Sequence, residues 1–67
     1  QMAMSRKNYE AIARILADNM ADTHVEAKIV AGVARELADY FKCENPRFRY
    51  DDFYAACELD EWGQPAL

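Results

Sequence analysis

The sequence predicts an all-α fold: a small three-helix domain with two longer antiparallel helices and a short third helix packed across them. Three observations carry this expectation. The 67-residue chain holds only two glycines and two prolines, and alanine is abundant, a composition with few helix breakers and high helix propensity. Apolar residues recur at three- and four-residue spacing over two long stretches, which is the period of an amphipathic helix. Pro46 then stops the second stretch, because proline cannot continue a helix and pushes Asn45 toward extended geometry. A chain this short buries only about 60% of its unfolded surface, and small domains often lean on a disulfide, a metal or a partner subunit. One domain is expected, over residues 4–62, with 63–67 as a tail. Gln1-Met2-Ala3 ahead of Met4 reads as a cloning remnant, which would put the natural start at Met4.

The first helix is expected from about Arg6 to about Asn19. Ser5 is its N-cap, and Met4 and Tyr9 flank that cap at the spacing of a hydrophobic staple. Tyr9, Ile12, Ala13, Leu16 and Met20 form its apolar face, and Glu10 precedes Arg14 by four residues in the favourable order. Asp22 and Thr23 interrupt the pattern, and Thr23 with Glu26 spells a capping box. Two helices are therefore expected rather than one from Arg6 to Cys43, which would expose its apolar stripe unless it dimerised. The second helix carries Ile29, Val30, Val33, Leu37, Tyr40 and Phe41 as its stripe, with Ala27, Ala31, Ala34 and Ala38 adding propensity. Gly32 costs about 1 kcal/mol in a helix interior, and close approach of a neighbouring helix is the expected reason for it. Phe48 and Phe53 form a second staple around Arg49 in the cap position, so the third helix is expected from about Tyr50 to Glu58. The expected core is Tyr9, Ile12, Leu16, Val30, Val33, Leu37, Phe41, Phe48, Phe53 and Cys57.

Certain segments also resemble a group of small bacteriophage proteins of actinobacteria that have no known function. The matching pieces are Arg6-Lys7-Asn8-Tyr9, Ile12-Ala13-Arg14-Ile15-Leu16, Asn45-Pro46-Arg47-Phe48, Phe53 and Ala56-Cys57. The resemblance covers most of the chain from Met4 to Leu59 and implies a phage origin and the cytoplasm of an infected bacterium. It implies no mechanism. Two positions depart from it. Arg49 stands where the group has a capping Asp, and Glu58 stands where it often has Gly, so the last helix is expected to run on toward Asp60.

Several function classes are excluded or disfavoured by the residues themselves. The net charge is −4, whereas nucleic-acid binders are usually basic. No apolar run approaches the roughly 20 residues that span a bilayer, and no secretory signal is visible. His24 is the only histidine, sits in the first turn of a helix where the dipole disfavours its charged form, and has no nucleophile in a recognisable constellation. His24, Cys43 and Cys57 lack the ligand spacing of a structural zinc site, and no glycine-rich phosphate loop is present. Asp51 and Asp52 begin a helix and complement its dipole. No enzyme, cofactor or metal is expected, and both thiols are expected to be free, a Cys43–Cys57 disulfide being the alternative.

The charge layout supplies the first candidate site. An up-down-up bundle gathers Arg6, Lys7, Lys42, Arg47 and Arg49 at one end, with Asp18, Asp22 and Glu26 at the other, opposed there by Lys28. The basic cluster either neutralises the carbonyls that end the second helix or binds an anion or an acidic partner. A homodimer is the second expectation, with contacts at Gly32, Tyr54 and Trp62, since Tyr54, Trp62 and Leu67 lie outside the expected core. Its monomeric alternative has the tail folding back with Trp62 over the third helix. The expected function is a non-catalytic phage accessory protein that binds an unidentified host or phage protein. The alternative is nucleic-acid binding by a helix-turn-helix-like pair at the basic end, against which Asp51 and Asp52 would face phosphates.

Overall fold

Residues 4–20 and 24–65 are described by the computed structural model. They form three helices, α1 (Arg6–Asp18), α2 (His24–Glu44) and α3 (Tyr50–Ala56), in an all-α architecture with two longer helices and one short one. Separate α1 and α2 are thus observed. The Asp22 and Thr23 positions that predicted the break lie outside the described residues.

Local chemistry sets most boundaries. At the start of α1, the Ser5 backbone N–H and Oγ both donate to Asn8 Oδ1, at 3.0 and 3.1 Å. At its end, the Asn19 backbone N–H and Nδ2 both donate to the Ile15 carbonyl, at 3.2 and 2.8 Å, so the Asn19 side chain reinforces the last turn. Between α2 and α3 the Phe48 N–H closes a turn on the Asn45 carbonyl at 2.9 Å, and Asn45 Oδ1 accepts the Arg47 N–H at 3.0 Å. Pro46 fits this turn because its fixed φ suits the second turn position. The staple at α3 forms as the spacing predicts, with Phe48 and Phe53 ring centroids 5.6 Å apart.

An aromatic cluster joins the three helices at one end. Phe41 of α2 lies 4.8 Å from Tyr9 of α1, 5.5 Å from Phe48 and 5.5 Å from Phe53 of α3, centroid to centroid. Phe41, Phe48, Phe53 and Cys57 are buried, while Tyr9, Ile12, Leu16 and Leu37 pack partly buried against them. Asn45 Nδ2 reaches Tyr9 Oη at 3.4 Å, so the end of α2 meets the start of α1, as an antiparallel pair requires.

The inward face of α2 differs from the expected one. Ala31, Ala34 and Ala38 are fully buried, whereas Ile29, Val33 and Tyr40 are 64%, 45% and 59% exposed. Val33 is therefore not a core residue, and Val30 is only half-buried. The reason is volume. The aromatic rings of α1 and α3 fill the shared interior, and only small residues on α2 leave room for them at native packing density. Gly32 also departs from expectation. Among the described residues a methyl group there would meet only Arg35 Nη2, at 3.7 Å, so no other helix of theirs approaches it closely.

α3 stops at Ala56 instead of continuing toward Asp60. Glu58 adopts φ 65°, and its N–H bonds the Ala55 carbonyl at 3.0 Å while the Leu59 N–H bonds the Tyr54 carbonyl at 2.9 Å. This is the Schellman ending, with Glu where glycine is usual and with Leu59 buried beyond it. The chain then turns back on itself. Asp60 Oδ1 accepts the N–H groups of Trp62 and Gln64, each at 2.9 Å, and Leu59 pairs with Pro65 in an isolated antiparallel bridge. Gly63 (φ 74°) is buried against Arg35 and Tyr54, and Arg35 Nη1 donates to its carbonyl at 2.7 Å. The tail thus folds back, but through Gly63 and not through Trp62, which is 70% exposed. Leu67 lies outside the described residues.

Two substitutions test this ending in opposite directions. Glu58→Gly removes a left-handed side-chain clash worth about 1–2 kcal/mol and returns part of it as chain entropy, for a net gain of about 0.5–1 kcal/mol. Gly63→Ala brings a methyl within 2.8 Å of Arg35 Cγ and Tyr54 Cζ at a positive φ, and should cost about 1–3 kcal/mol. Urea unfolding followed by circular dichroism measures both, and an unchanged midpoint for Gly63→Ala would rule out the packed tail.

Candidate functional site

The basic end is assembled mostly from groups that already have partners. Lys42, in the last turn of α2, donates from Nζ to the Pro46 carbonyl at 2.8 Å and the Phe48 carbonyl at 3.2 Å. It closes the turn between α2 and α3. Arg6 pairs with Glu10 one helical turn away, at 3.2 Å. Arg49 holds Asp52 at 3.3 Å and Asp51 at 4.0 Å, so the residue standing where a capping Asp was expected instead bridges the first-turn carboxylates of α3. Lys7 and Arg47 are exposed, with no ion pair among the described residues.

Arg6, Arg47 and Arg49 do come together, along an open groove of about 760 Å³ between α1 and α3. Arg14 joins them, and Glu10, Asp18, Asp52 and Glu58 line the same groove. Arg6 and Arg49 are paired with carboxylates there, so the groove is a mixed-charge surface over Tyr9, Phe48 and Phe53 and not a concentrated positive one. Lys7 and Lys42 do not line it.

Three titratable groups, Cys57, Tyr50 and Tyr54, are held toward their neutral forms. Burial pushes the Cys57 thiol up to about 11. The Tyr50 hydroxyl donates to Asp39 Oδ1 at 2.7 Å, and that bond favours the neutral phenol, raising its pKa to about 12. Burial likewise raises Tyr54. Among the described residues no group of three His, Cys, Asp or Glu side chains is placed to hold a metal ion, and no helix is long and apolar enough to cross a membrane. His24 begins α2.

A second surface is more distinctive. With Ala31, Ala34 and Ala38 turned inward, the opposite side of α2 presents Val25, Ile29, Val33 and Tyr40, at intervals of four, four and seven residues. That spacing keeps them on one face over about 22 Å at 1.5 Å per residue. The periodicity of the sequence contains this second stripe, but apolar spacing alone does not separate it from the core face.

Of the three residues expected at a dimer contact, Tyr54 is corrected. It is buried beneath Gly63 and so belongs to the core of the single chain. Gly32 and Trp62 remain at the surface, and Arg35 connects them. Its guanidinium lies 3.7 Å from the position of a Gly32 methyl and holds the Gly63 carbonyl next to Trp62. Trp62 is thus exposed on a hydrogen-bonded turn that Arg35 ties to α2. No family model, curated protein or solved structure matches the chain.

Both thiols are unbonded, Cys43 exposed and Cys57 buried, which corrects the disulfide alternative. In the native protein an aromatic disulfide reagent should modify one thiol rapidly and the second only on unfolding. Peptide mapping should place the fast label on Cys43. Equal rates, or a fast label on Cys57, would contradict the burial described here.

Proposed function

We propose that this protein is a non-catalytic interaction module that docks through the outward face of α2. The observation that carries the reading is the exposure of Val25, Ile29, Val33 and Tyr40 on a helix whose other side is already packed. Contiguous apolar surface rimmed by polar residues marks interaction sites on small proteins, and aromatic side chains supply much of the binding energy at such sites. The partner is a host or phage protein, and the setting is the cytoplasm of an infected bacterium, in line with the phage-like segments around Tyr9 and Phe48.

The basic end contributes less to this reading. Arg6 and Arg49 are paired with carboxylates and Lys42 with carbonyls, so an incoming phosphate would have to displace existing partners. A helix-turn-helix use of α3 would bring Asp51 and Asp52, both in its first turn, to the phosphates.

A photo-crosslinking amino acid in place of Ile29, and separately in place of Lys7, tests the docking face in infected cells. Adducts should form from position 29 and not from position 7. Adducts only from position 7 would move the site to the basic end and sink this reading.

A further inference from the structure

We draw no further inference here: the strongest candidate, the exposed Trp62 on the hydrogen-bonded turn that follows α3, carries nothing, because nothing in the structure shows what covers it.

Discussion

Phe41 has ring contacts with both other helices and with the turn between α2 and α3. Tyr9 brings α1 to it, Phe48 brings the turn after α2, and Phe53 brings α3, all with centroids within 5.5 Å. Phe48 in turn touches Tyr9 at 5.0 Å and Phe53 at 5.6 Å. Tilted and edge-on pairs of this kind add about 0.5–1.5 kcal/mol each beyond the apolar area they bury. For a chain of 67 residues, whose core is small in any case, concentrating that energy at one end has a consequence. The rest of α2 must pack with little volume, and alanine is the residue that permits it. The burial of Ala31, Ala34 and Ala38 follows from the size of the rings they accommodate.

The parts of this fold that were legible in the sequence are the ones written in local chemistry. Ser5, Pro46 and the Phe48–Phe53 staple act within a few residues of themselves, so α1, the turn and the start of α3 could be read directly. The face of α2 could not. Both of its sides are apolar, one by alanine and one by branched residues, and a rule that assigns the larger residues to the core chooses the wrong side. Which side turns inward depends on rings contributed by Tyr9, Phe48 and Phe53, which is tertiary information. The end of α3 escaped for a different reason. Glu58 occupies a left-handed position that a sequence normally announces with glycine. What holds it there is Leu59 burying itself and Gly63 closing on Tyr54, both downstream of the point where the helix ends.

The candidate site divides along the same line. The basic cluster was legible because charge is additive along the chain, and three of its five members do meet in one groove. What the charges do there depends on partners that the fold selects. Lys42 closes the turn over Phe48, and Arg49 spans the first turn of α3, so these cations work for the structure. A guanidinium or ammonium already hydrogen-bonded must give up that partner before it can take a ligand, which reduces its net contribution to binding. The groove is better described as a set of local ion pairs laid over an aromatic floor than as an anion receptor.

The outward face of α2 poses the opposite problem. Branched residues have slightly lower helix propensity than alanine or the long polar residues, because their side chains lose rotamer freedom in a helix. On a solvated face they gain nothing in return, and their exposure adds an association hazard. A helix that had only to support the aromatic cluster would carry lysine, glutamate or glutamine at positions 25, 29, 33 and 40. Val25, Ile29, Val33 and Tyr40 instead keep one register across most of α2. Among the described residues no contact buries that row, so neither helix propensity nor the core of the chain selects it.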